Sequence, residues 1–235
     1  MAVLLDFPIT SVMITNPSLA LVYNSRPGQE ATNGMRRSVG VSGAQFKLSF
    51  TVPVFDQRTE RTVRGFLWNM EADTALVRIR MPDVYGIDGP FAADTKSFRD
   101  ANRTGIPFAT GAMYATGVGH AIPTLETQFL APAENASREI YVTSTDEIPG
   151  GCAISIEEFC YGVAGSWIED GQQRLRLSPV LRKPASAGDT ISLAPVFVGF
   201  CVTDTPGYEA LTAGRYGEHT LEFMEDLTRL VESAD

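Results

Sequence analysis

The residues able to do chemistry are few and poorly spaced for it. His120 and His219 are the only histidines, and they are far apart in sequence. Neither belongs to an i, i+4 pair or to a Cys/His cluster, so no zinc site is predicted. Gly40-Val41-Ser42-Gly43 and Gly165-Ser166-Trp167 do not match the strand-turn-helix elbow that exposes a nucleophilic serine. The adjacent carboxylates Asp146-Glu147 and Glu157-Glu158 would point to opposite faces of a strand, so neither pair makes a two-carboxylate site alone. Convergence of carboxylates from distant strands stays open. Neither a glycine-rich dinucleotide fingerprint nor a phosphate-binding loop with its lysine is present. The expectation is a non-enzymatic protein without catalytic residues, cofactor or metal.

Two tryptophans are candidates for binding. Trp167, with the tyrosines and acidic groups, leaves open an alternative reading as a carbohydrate-binding β-sandwich. Trp68 lies beside Phe66 and Leu67 in a helical pattern, which assigns it to core packing or helix anchoring. Cys152, Cys160 and Cys201 are an odd number without metal-ligand spacing, and they read as reduced, buried small hydrophobes.

The formal charge of -9 argues against a grip on nucleic acid, which starts from a clustered basic surface. No run approaches the roughly 18 apolar residues of a membrane span. Met1 to Pro8 has no basic segment or apolar stretch long enough for an export signal, so synthesis in the cytoplasm is expected.

The elements that must position these groups are mostly strands. Phe46 to Val54 alternates apolar with other residues and predicts a half-buried strand. Pro53 within it, lacking an amide donor, predicts a sheet edge or a bulge at that strand end. Val63, Phe66, Leu67 and Met70 then fall at helical spacing, predicting a helix over about 57 to 71 with Asp56 as its N-cap. Alternation returns over 75 to 81. Further strands are expected near 9 to 15, 19 to 24 and 36 to 42.

Residues 82 to 124 interleave glycines and aromatics without a sustained period and predict a long loop excursion. Beyond it, strands are expected near 125 to 130, 139 to 144, 152 to 160, 173 to 178, 190 to 194 and 196 to 203. The C-terminus suits a strand ending in a short helix or tail. The chain thus reads as one mainly β domain over 1 to 235, a β-sandwich with one short flanking helix and the excursion as an insertion.

Three stretches carry a resemblance. They are the strand-helix-strand order from 46 to 81, the segment Leu175-Arg176-Leu177-Ser178-Pro179-Val180-Leu181-Arg182 with Gly188-Asp189 after it, and the run Arg215 to Glu225. Together they resemble the distal and minor tail proteins of long-tailed bacteriophages, in which a second proline often stands where Val180 is here. The resemblance implies a tail-tube-like β-sandwich in a virion structural protein. It implies a homo-oligomeric ring, commonly a hexamer, at the distal end of the tail tube, joined to tube and hub or baseplate proteins. DNA would pass through without specific binding, past a lumen whose acidity repels phosphate. Ring closure needs two different patches per subunit, one of them expected within residues 83 to 121.

Overall fold

The computed structural model describes residues 3–9, 11–23, 25–26, 39–40, 44–70, 74–80, 126–143, 147–203 and 217–228. In chain order the elements are β1 (Leu4–Asp6), β2 (Thr15–Val22), β3 (Ser25–Arg26), β4 (Val39–Gly40), β5 (Gln45–Val54), α1 (Gln57–Asn69) and β6 (Leu76–Arg80). They continue as β7 (Glu126–Gln128), β8 (Glu139–Val142), β9 (Ala153–Ile156), β10 (Phe159–Glu169), β11 (Gln172–Ser178), β12 (Thr190–Ser192), β13 (Val196–Cys201) and β14 (Gly217–Glu225). The chain is mainly β, with two six-stranded sheets in a sandwich-like arrangement and a small β3-β4 ribbon.

The first sheet runs β1-β6-β13-β14-β5-β2. The alternation read in the sequence buries Phe46, Leu48, Phe50 and Val52 of β5, and Leu221 and Phe223 of β14 join them in one core. Helix α1 crosses that same face, as its apolar stripe requires, with Val63, Phe66 and Leu67 buried. The Phe66 ring meets Phe7 edge-on at 5.2 Å, and Phe7 meets Phe50 at 5.1 Å. Asp56 caps the helix, its carboxylate accepting the Thr59 amide at 2.7 Å.

The second sheet runs β7-β12-β9-β10-β11-β8. Its ends meet through a Phe129–Val142 bridge, with the Leu130 amide donating to the Tyr141 carbonyl at 2.8 Å and the Thr143 amide to the Gln128 carbonyl at 3.0 Å. The sheet therefore rolls closed around its own core of Ile140, Ile154, Tyr161, Leu175 and Ile191. Closure removes the exposed edges an open sheet would present. Cys160 points the other way and joins the core of the first sheet.

β5 lies between β14 and β2, and its Pro53 end is an edge as expected, because Pro53 faces Glu218 of β14 while the β2 ladder stops at Thr15–Thr51. Other expectations need correction. The strand expected over 152 to 160 is instead a hairpin of β9 and β10, and β10 continues to Glu169. Leu4–Asp6, parallel to β6, is a strand that the sequence pattern does not predict, whereas among the described residues of 9 to 15 only Thr15 is in one. The C-terminal run forms the expected strand, β14. The 82–124 excursion lies outside the described residues, as does all of the strand expected near 36–42 except Val39–Gly40.

Candidate functional site

The β9–β10 hairpin has a two-residue loop, Glu157-Glu158, between the paired residues Ile156 and Phe159. Both glutamates have positive φ, 48° and 65°, as the tight turn matching strand twist demands. Asn-Gly is the favoured filling of such a turn, because a Cβ at positive φ crowds the following carbonyl. Two glutamates here are therefore a conformational cost the fold carries.

This turn forms part of an open cleft of about 360 Å3, lined also by Phe159, Leu181, Lys183, Pro184 and Asp189. Its charged lining is three acids and one base. Lys183 lies 3.4 Å from Glu157 and 5.5 Å over the Phe159 ring. Glu158 is paired at 2.7 Å with Arg78 of β6, which also reaches Asp6 of β1. The serine hydroxyls are engaged with backbone: Ser155 donates to the Val196 carbonyl at 3.1 Å and Ser192 to that of Ala194 at 2.8 Å. Such a lining can bind a partly apolar, cationic group, and it aligns no hydroxyl with a base.

Beneath the cleft, Glu225 of β14 is fully buried and Arg182 nearly so. The Glu225 carboxylate accepts the Arg182 guanidinium, the Phe46 amide at 3.0 Å and the Cys160 amide at 3.1 Å. Arg182 also donates to the Ala44 carbonyl and lies 5.4 and 5.6 Å over the Phe159 and Tyr161 rings. The Tyr161 hydroxyl accepts the Arg182 amide at 3.1 Å. Burial pushes the Tyr161 phenol up to about 12, against the opposing effect of that amide. This network ties strands of both sheets together and is inaccessible, so its role is positioning.

Trp167, Arg174 and Tyr141 form a cross-strand row on β10, β11 and β8. The Arg174 guanidinium lies 5.4 Å over each ring and is held by Glu169 and Glu139. The hydrogen bond that Arg174 donates to Glu169 is the largest influence raising its pKa, against desolvation. A sugar stacking on the Trp167 face that Arg174 covers would have to displace this guanidinium.

Of the other candidates, His219 is buried on Glu60 of α1 at 3.0 Å, fastening helix to sheet. The Ser166 hydroxyl accepts a 2.8 Å bond from Gln173. Cys152, Cys160 and Cys201 are buried and unbridged. His120, Ser42 and Asp146 lie outside the described residues, and Glu147 is exposed. Trp68 is 76% exposed, which overturns its assignment to the core. Among the described residues no group of His, Cys, Asp and Glu is gathered to hold a metal. No described helix is long and apolar enough to cross a membrane.

Exposed large apolar side chains include Leu130 and Ile168 of the second sheet, and the others belong to the first sheet and its helix. Val3 and Leu4 stand at the β1 edge of the first sheet, Val22 and Tyr23 at its β2 edge, Phe55 just before α1 and Trp68 in its last turn. The outward-facing charges of that sheet, Lys47, Arg78 and Arg80 against Asp6, Glu218 and Glu222, balance among the described residues. No protein-family model matches the chain, and none of the curated proteins matches it either.

Proposed function

We propose that this chain is a structural subunit that assembles head-to-tail with copies of itself, as a ring at the distal end of a bacteriophage tail tube. The observation that carries the reading is the state of the first sheet's two edges. Among the described residues no strand covers the outer side of β1 or β2, and each edge has large apolar side chains beside it. Open edges with apolar neighbours are surfaces that proteins normally keep covered. The two edges lie at opposite ends of a six-stranded sheet, roughly 24 Å apart at the usual strand spacing. A cyclic ring needs two different patches facing opposite ways, one for each neighbour.

The tail assignment rests on the resemblance of the strand-helix-strand order and of the Leu175 to Asp189 segment. In that setting the balanced outer face of the first sheet would offer passing DNA no excess of positive charge, and so no counterion-release grip. Tube and hub or baseplate proteins are the neighbours this reading assigns above and below.

Native mass by light scattering, with negative-stain images of the same fraction, tests it. A closed ring with a central hole, six copies being the number the resemblance favours, supports the reading. A homogeneous monomer at every concentration overturns self-assembly.

A further inference from the structure

Helix α1 presents to solvent a ridge that its core-packing role does not use. Arg58, Arg61, Arg64 and Trp68 recur at helical spacing, and all are exposed. At 1.5 Å rise per residue the ridge runs about 15 Å from Arg58 to Trp68. A line of arginines ending in an open indole is unusual on a chain with a formal charge of -9. Arginine and tryptophan are the residue types that dominate binding energy at protein interfaces.

The cleft beside the Glu157-Glu158 turn is its complement. Its apolar walls of Phe159, Leu181 and Pro184 enclose about 360 Å3, within the size range of pockets that accept ring-sized groups. Its charged lining is three acids and Lys183, with Glu157 paired to Lys183 and Glu158 to Arg78, so the acids still outnumber the cations that meet them. Through Glu158 and Arg78 the cleft's rim stands next to Asp6 and the β1 edge, which the proposed function assigns to a neighbouring copy. Two consecutive glutamates held at positive φ fit a place where charge is kept at the expense of backbone comfort.

We infer that the Arg58-Arg61-Trp68 ridge of one copy docks on the Glu157/Glu158/Asp189 cleft of the next, with the indole against the apolar wall and the arginines against the carboxylates. This inference rests on the self-assembly reading and names its specificity-determining contact. The two patches differ and belong to different elements, so the contact is heterologous. It closes as a ring when the rotation per copy divides a full turn. Opposite charge on the patches favours this register over ridge-to-ridge or cleft-to-cleft encounters.

The test uses the full chain as wild type, Arg61→Glu, Arg58→Glu, Trp68→Ala and Glu157→Lys, with circular dichroism melts to select variants that fold. Native mass is followed on dilution. Each variant is expected to dissociate at a concentration at least tenfold higher than wild type. Arg61→Glu mixed in equal amounts with Glu157→Lys is expected to reassemble, because in an alternating ring every ridge then faces a cleft of opposite charge. Wild-type assembly in all variants overturns the inference and leaves self-assembly standing. Dissociation of the single variants without recovery in the mixture overturns the pairing of these two patches. A wild-type chain that is monomeric throughout overturns the inference and the reading together.

Discussion

Glu225 and Arg182 form a buried ion pair 43 residues apart, and its carboxylate also accepts amides from β5 and β10. A pair this deep is costly to desolvate, and its contribution depends on every remaining group being satisfied. Here it is: the carboxylate has three sources of donors, and the guanidinium has a backbone carbonyl and two aromatic faces as well. Arg182→Met leaves the carboxylate buried with only the two amides. Urea unfolding of that variant is expected to lose about 3–5 kcal/mol, the usual cost of breaking a buried pair from one side. A loss below about 1 kcal/mol would show that water already reaches the pair.

The Tyr161 phenol gives a pH dependence with a definite sign. Its folded pKa is raised to about 12 from its ordinary value of 10.0, so the folded state prefers the neutral phenol. That contribution is fully present below pH 10 and is lost as pH rises through about 12. Tyr161→Phe should therefore flatten the alkaline limb of the stability curve between those values. At pH 7 the same variant should be less stable by about 1–3 kcal/mol, because the Arg182 amide loses its acceptor. Unfolding curves at pH 7 and pH 11 measure both effects.

Much of the first sheet was legible in the sequence because its signals are local. β5 alternates without a break, α1 has a clean apolar stripe and Asp56 caps it, so strand, helix and strand follow within a few residues of expectation. What was not legible depends on partners distant in sequence. Closure of the second sheet rests on Phe129 meeting Val142, and the central joint rests on Arg182 meeting Glu225. The sequence pattern stops short of the end of β10 because the small residues Gly162, Ala164 and Gly165 blur the alternation, and a bulge shifts its register between Val163 and Gly165. Asp170-Gly171, both at positive φ, was the available signal for the β10–β11 hairpin. Trp68 was misplaced because an aromatic next to a core stripe need not lie on it: Phe66 and Leu67 turn inward and the next residue turns out.

Two glycines should respond oppositely to alanine. At Gly199 of β13 an added Cβ would lie 2.2 Å from the Met224 carbonyl oxygen and 2.7 Å from the Phe197 ring. Backbone cannot yield as a flexible side chain does, so Gly199→Ala should push β13 from β14 and cost at least about 1–3 kcal/mol. At Gly65 in α1 nothing lies within 4 Å, and alanine loses less backbone entropy in a helix. Gly65→Ala should stabilise by about 0.5–1 kcal/mol. Thermal melts of the two variants beside wild type decide it, and equal effects would contradict the packing described around β13.

The Glu157-Glu158 turn is the last place where stability and use should separate. Replacing it with Asn-Gly removes the Cβ at the second position and places at the first a residue that tolerates the left-handed region, where an ordinary side chain costs roughly 1–2 kcal/mol. The change also removes the partly exposed pairs with Lys183 and Arg78, and such pairs contribute about 0–1 kcal/mol each. The balance favours the variant, so the isolated chain should unfold at higher urea by about 1 kcal/mol of stability. If the glutamates are kept for contact with a neighbouring copy, the same variant should also assemble more weakly than wild type at equal concentration. Higher stability with weaker assembly is the expected pair of results. Lower stability would mean that the ion pairs outweigh the backbone cost, and unchanged assembly would mean that the turn's charge has no part in the contact.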